Sequence, residues 1–111
     1  MTSGYRVRFD KDSNDQEWIE IGRRSPQLPQ MFYPVTNKIL IKKGDVIAAR
    51  CTMKNFQNHD VSIGPTGDDE MCNFYMMYYV EGDKILDNQY CTTYGPPSWY
   101  FKNFKVKLLF I

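Results

Sequence analysis

The decapeptide Met71–Val80 holds the residues best placed to do chemistry. Read as a strand, its side chains alternate between two faces. Met71, Asn73, Tyr75, Met77 and Tyr79 share one, and Cys72, Phe74, Met76, Tyr78 and Val80 share the other. The first face opens with a thioether, an amide and a phenol in succession, just after Asp68, Asp69 and Glu70. A thioether is a soft ligand suited to copper, above all Cu(I), although a methionine taken alone is far more often a gap-filler in a core. The acidic triplet lacks the glycine-and-carboxylate spacing of a calcium loop and reads as a solvated turn. Gly64-Pro65-Thr66-Gly67 lacks the Gly-Lys-Ser/Thr of a phosphate loop, which argues against nucleotide chemistry. His59, the one histidine, lies in a polar loop without a partner at catalytic spacing and reads as a surface residue. Cys51 and Cys72 both fall on apolar strand faces. A bridge between them would close a loop worth about 3 kcal/mol in the chain-entropy model, and two buried free thiols fit the same pattern.

The chain that must position these groups has 111 residues. That is one domain, small enough for its core to lean on a disulfide, a metal or a partner. Fourteen Lys and Arg against 13 Asp and Glu leave a formal net charge of +1, and no basic stripe forms, so a strongly basic nucleic-acid binder is excluded. An apolar fraction of 42% with 15% aromatic residues excludes a disordered tail. Eight tyrosines and seven phenylalanines favour β structure, where large rings fit a pleated surface. The longest apolar runs, Phe74–Val80 and Leu108–Ile111, are far short of the roughly 20 residues of a transmembrane helix. The first residues lack the apolar stretch of a signal peptide. Three cysteines is an odd count, leaving one without a partner if a single bridge forms.

Turn residues divide the chain into strands. Tyr5–Phe9 alternates strictly, with Tyr5, Val7 and Phe9 on one face and Arg6 and Arg8 on the other, which predicts a half-buried strand. The polar stretch Asp10–Gln16 is a turn, and Glu17–Ile21 completes a hairpin. Pro26, Pro29 and Pro34 keep Arg24–Val35 extended but out of any central strand. Its Leu28, Phe32 and Tyr33 are expected to pack against the parent fold, with a proline-rich ligand for another domain as the alternative. Lys38–Ile41 and Val46–Met53 read as strands joined by a turn at Lys42-Lys43-Gly44-Asp45. Ile47, Ala49, Cys51 and Met53 mark the core side of the second. Met71–Val80 is the strongest strand candidate, bracketed by Gly67 and Gly82, and Phe104–Ile111 is a candidate edge strand. No helical amphipathic segment of useful length is present. The expected fold is all-β, an antiparallel β-sandwich or part of one.

Several separated stretches, in order, carry a resemblance. They are Ser25-Pro26-Gln27-Leu28-Pro29-Gln30, Phe32-Tyr33-Pro34-Val35, Gly44-Asp45-Val46-Ile47-Ala48-Ala49-Arg50-Cys51, Asp69-Glu70-Met71-Cys72-Asn73, and Tyr75 to Tyr79. Together they resemble the copper type II, ascorbate-dependent monooxygenases, and within them the peptidylglycine-hydroxylating branch. The likeness runs from about Ser3 to about Cys91 and fades after about Pro97. It implies that residues 1–111 are a partial C-terminal domain of a core built from two jelly-roll-like β-sandwiches. It also implies roles. Met71 matches a methionine ligand of the copper at which dioxygen is activated. Asn73 and Tyr75 match residues that hold the carboxylate end of a glycine-extended peptide. Cys51 and Cys72 match a disulfide pair, and Cys91 matches a cysteine whose partner lies upstream. The implied reaction is hydroxylation of the α-carbon of a C-terminal glycine, the first step of C-terminal amidation. It would use two coppers, with ascorbate as reductant, in the secretory pathway lumen, a secretory granule or outside the cell.

The departures from that pattern are specific. The family's His-x-His ligands for the same copper, an arginine near them, and the whole domain of the other copper are absent. A lone thioether is a poor copper site, so this chain is expected to be a fragment that is inactive by itself. The alternatives are a fragment of a dopamine β-monooxygenase-like enzyme, which shares a Glu-Met-Cys run, and a catalytically dead, truncated β-module. Asn73 and the Ser-Pro-Gln-Leu-Pro-Gln stretch favour the peptide enzyme over the first.

Overall fold

A computed structural model describes residues 1–13, 15–35 and 37–91. Among these residues three strands form one antiparallel sheet: β1 (Thr2–Phe9), β2 (Gln16–Arg24) and β3 (Val46–Cys51), in the order β2-β1-β3. The hairpin expected from the alternation around the Asp10–Gln16 turn is present. Its turn is organised by the Asp10 carboxylate, which accepts from the amides of Asp12 at 2.8 Å and Ser13 at 3.4 Å. These bonds hold that carboxyl below its ordinary range. Met1 and Thr52 add a pair of main-chain bonds, each 2.8 Å, at the end of the β1–β3 ladder. No helix occurs among the described residues, and the class is all-β.

Register assigns the faces. Tyr5 pairs with Ala48 and Val7 with both Val46 and Trp18, so these share one face, on which the Tyr5 and Trp18 rings meet edge-on at 5.9 Å. Arg6 pairs with Ile47, Gly4 with Ala49 and Thr2 with Cys51 on the other. A bulge at Gly4/Tyr5 leaves Ile21 as the extra residue of β2. Among the described residues the buried apolar side chains are Val7, Ile21 and Ala48. Burying a valine or isoleucine is worth about 1.5–3 kcal/mol and an alanine methyl about 0.8 kcal/mol, so this core leaves much of the holding to other devices.

One of those devices corrects the half-buried reading of β1. Arg6 is 5% exposed, so both faces of the central strand are covered. Its Nη1 donates to the Leu40 carbonyl at 3.2 Å and its Nη2 pairs with the Glu17 carboxylate, while Nε has no partner among the described residues. Arg8 grips Asp45 in a fork, Nε to Oδ1 at 2.7 Å and Nη2 to Oδ2 at 2.6 Å. Asp45 also accepts from the Lys42 amide at 2.7 Å, closing the turn in which Gly44 takes a φ of +95°. The Arg8 fork, followed by the Lys42 amide, outweighs burial and holds the Asp45 carboxyl below the usual carboxylate range.

Two other expectations are revised. Lys38–Ile41 is outside the sheet. Its Leu40 carbonyl is taken by the Arg6 and Arg8 guanidiniums, so the segment meets side chains on a face and finds no ladder at an edge. Leu28 and Phe32 are exposed, and the proline-rich stretch is folded onto itself. Tyr33 donates to the Pro29 carbonyl at 2.9 Å, and Arg24 lies over its ring at 5.3 Å. The candidate strand Phe104–Ile111 lies outside the described residues.

Candidate functional site

Met71 is held between two fixed points. On one side, residues 62–70 close into a clasp: the Glu70 amide donates to Ser62 at 2.9 Å and the Gly64 amide to Glu70 at 3.2 Å, making a parallel bridge between Ile63 and Glu70. Inside it the Asp69 carboxylate accepts from the Thr66 hydroxyl at 2.6 Å and the Thr66 amide at 3.1 Å. A Cβ at Gly64 would run into that carboxylate, so a larger residue there would have to push Asp69 off its Thr66 bonds. On the other side, Cys72 is disulfide-bonded to Cys51 at the end of β3, with a Cα–Cα distance of 5.7 Å. The acidic triplet, expected as a solvated turn, has Asp68 and Glu70 exposed but Asp69 partly buried as the organiser of the clasp.

Beyond the disulfide, no residue from Met71 to Val80 belongs to a ladder, although this stretch was the strongest strand candidate. The reason is where it lies. Cys72 bonds to Cys51 and the Phe74 ring packs on Gly4, so the segment crosses the face of the sheet, where no main-chain partner occurs among the described residues. A period-two alternation survives without the ladder only in the middle, where Phe74 and Met76 are partly buried and Asn73, Tyr75 and Met77 are exposed. At both ends it is lost: Cys72, Tyr78 and Val80 are exposed like Met71 and Tyr79, with Met71 at 53% and Tyr75 at 67%. Met71, Asn73 and Tyr75 thus lie on one exposed row. Tyr78 accepts through its hydroxyl from the Leu86 amide at 3.2 Å and ties the far end to the turn at Gly82.

The other sequence candidates do not join that row. His59 is exposed in a turn of its own. Its Nδ1 is 3.0 Å from the Asp60 carbonyl, and its own carbonyl accepts from Asn55 at 2.7 Å. Cys91 is a free, exposed thiol. Among the described residues no group of three His, Cys, Asp or Glu could hold a metal ion. Met71, the copper-ligand candidate of the sequence, therefore has no such group to complete a site among the described residues, and a thioether without imidazole or carboxylate partners does not fit a copper ion. Also among the described residues, no helix is long and apolar enough to cross a membrane.

Two supports of the row were not visible in the residue pattern. The Gly4–Phe74 contact joins positions 70 apart in the chain, and no local signal announces it. The Asp69 clasp had a weak one, since Thr66-x-x-Asp69 is a spacing at which a carboxylate reaches back to a main-chain amide.

Comparison with known proteins bears on what such a row serves. The domain described as "Copper type II ascorbate-dependent monooxygenase, C-terminal domain" matches residues 1–104. The mouse peptidyl-glycine alpha-amidating monooxygenase is 42% identical over 101 residues, which is 90% of this chain and 10% of that protein. The rat enzyme gives the same figures, as does the Xenopus laevis peptidyl-glycine alpha-amidating monooxygenase A. The chain therefore spans about a tenth of the length of these relatives. No solved structure matches it significantly. With a match over nearly its whole length, the chain belongs to the copper type II ascorbate-dependent monooxygenase family, as a C-terminal domain sequence.

Proposed function

We propose that this chain forms one wall of the site of a copper- and ascorbate-dependent monooxygenase acting on the α-carbon of a peptide's C-terminal glycine. The observation that carries the reading is the exposed row Met71, Asn73, Tyr75, held between the Glu70 bridge and the Cys72 disulfide in a chain 42% identical to peptide-amidating enzymes. Copper, when bound in the complete site, supplies dioxygen activation, with ascorbate as the electron source. The chain's own residues do the holding. The Met71 sulfur is a soft donor whose main chain is pinned on both sides, so it needs little ordering on binding. The Asn73 amide and the Tyr75 hydroxyl can each donate to a carboxylate, and the glycine-extended peptide offers one at its end. Their exposure leaves that carboxylate free to approach. The proposed compartment, the secretory pathway lumen or outside the cell, agrees with the Cys51–Cys72 bond, which persists in oxidising surroundings.

A chimera tests this reading. Residues 1–104 replace their counterpart in the rat relative, and ascorbate-dependent hydroxylation of a glycine-extended peptide is measured. Turnover is expected, and Met71→Ile in the chimera should abolish it with the fold intact. A folded chimera that turns over equally well with isoleucine would overturn the ligand assignment. Residues 1–111 alone should release copper on dialysis and give no turnover, since one thioether is too poor a ligand set.

A further inference from the structure

We propose that Phe74 is a positioning residue: its ring, seated on Gly4, is the second anchor, with the Cys51–Cys72 disulfide, that aims Met71, Asn73 and Tyr75 outward. The importance of that aim rests on the functional reading above, but the anchor itself is a property of this chain alone.

The seat is built across the whole sheet. Gly4 of the central strand pairs with Gly22 on one side and Ala49 on the other, so small residues form a cross-strand depression on one face. The Phe74 ring fills its middle. A Cβ on Gly4 would run into three ring atoms, Cζ, Cε1 and Cε2. Gly4 has no positive φ to explain it, so close approach of the ring is the reason glycine stands there. Gly22 is different: a Cβ there meets nothing within 4 Å.

This contact lies where the row needs it. Asn73 and Tyr75 are the chain neighbours of Phe74, and the segment has no ladder to orient it. In such a stretch the rotation of the main chain is set by whatever the alternate side chains grip. Cys72 grips β3 and Phe74 grips β1, two residues apart, so both inward side chains fix which way the three outward ones point. With Cys72 alone, the chain could pivot about the disulfide, and Asn73 and Tyr75 would no longer share a direction with Met71.

The test is a rescue series in the 111-residue chain, read by the methionine methyl resonances, the amide resonances of β1–β3 and the fraction of Cys51–Cys72 bonded after oxidative refolding. Gly4→Ala overfills the seat, and the docked over undocked population should fall about ten- to a hundredfold. The Met71 and Met76 methyl signals should then move or multiply and the bonded fraction should drop, with strand amides beyond the neighbours of Gly4 unchanged. Phe74→Leu lacks Cζ, Cε1 and Cε2, so Gly4→Ala combined with Phe74→Leu should restore the Met71 signal and the disulfide. Gly22→Ala, into open space, should change neither. The proposal is overturned if Gly4→Ala leaves the Met71 and Met76 signals in place, or if Phe74→Leu gives no rescue in a chain whose sheet is intact. None of the three readouts uses copper or peptide, so failure of the hydroxylase chimera and failure of the anchor remain distinct results.

Discussion

Between Met1 and Thr52 each strand has a hydrogen-bonded neighbour, and the guanidiniums of Arg6 and Arg8 tie the covering loops to the sheet. From Met71 to Val80 no residue belongs to a ladder, and the chain is held at points: a bridge, a disulfide, a ring on a glycine and a hydroxyl on an amide. The first region is redundant, because the loss of one bond leaves the rest of a ladder. The second is not. The region that carries the proposed chemistry is the one with few attachments, which suits a surface that must receive a ligand but makes each attachment matter.

The largest expected effect comes from breaking the disulfide. Reduction, or Cys51→Ser with Cys72→Ser, should lower the unfolding free energy by about 3 kcal/mol, measured by urea titration against the oxidised chain. The loss should fall unevenly. Amide exchange should accelerate from Met71 to Val80 and change much less in the β1–β2 hairpin. Equal acceleration in both regions would show that the two are one cooperative unit.

Next come the ion pairs of the sheet. Arg6 is buried while its partner Glu17 is more than half exposed. Breaking a fully buried pair costs about 3–5 kcal/mol, and solvent at Glu17 reduces that, so Glu17→Gln should cost about 1–2 kcal/mol. Asp45 tests the same region through pH. Its folded carboxyl is held below the usual range, first by Arg8, so its contribution is present above about pH 4, the unfolded aspartate value, and is lost as pH falls through the folded one. Melting temperatures of the chain should therefore drop on acidification below about pH 4, and Asp45→Asn should flatten that slope while lowering the plateau at neutral pH. An unchanged acid slope in the variant would assign the acid sensitivity to other carboxyls.

How far these features were legible follows from the same contrast. The hairpin and β3 were readable because alternation and turn residues are local, and a ladder between neighbours in sequence needs little else. The sharing of one face by Met71, Asn73 and Tyr75 was readable for the same reason. What was hidden depends on distant partners. Whether Met71–Val80 gains a ladder is decided by what lies beside it in space, and it lies over a sheet face. The burial of Arg6 depends on Glu17 and Leu40, which lie 11 and 34 residues further along the chain. A period-two pattern places an arginine on a face, but it cannot say that the face will be covered. The Gly4 seat carries no pattern, because a glycine needed for close approach looks the same in sequence as one that is merely tolerated.

The smallest effect on stability sharpens the comparison most. Tyr75 is two-thirds exposed, and its hydroxyl is not needed by the fold. Tyr75→Phe should therefore change the unfolding free energy by less than about 0.5 kcal/mol, and Asn73→Ala should behave alike. In the rat chimera the same two changes each remove one hydrogen bond to a charged carboxylate, worth roughly 1.5–3 kcal/mol. Catalytic efficiency toward the glycine-extended peptide should then fall about 10- to 100-fold, with copper content unchanged. Phe74, one residue away, should show the reverse order in the 111-residue chain: Phe74→Ala empties the seat on Gly4 and destabilises the segment before any substrate is present. Adjacent residues would thus divide by face, the inward ones paying in stability and the outward ones in catalysis. If Tyr75→Phe instead lowered copper content, or left peptide turnover intact, the exposed row would have to be reassigned, and the inward row alone would remain explained.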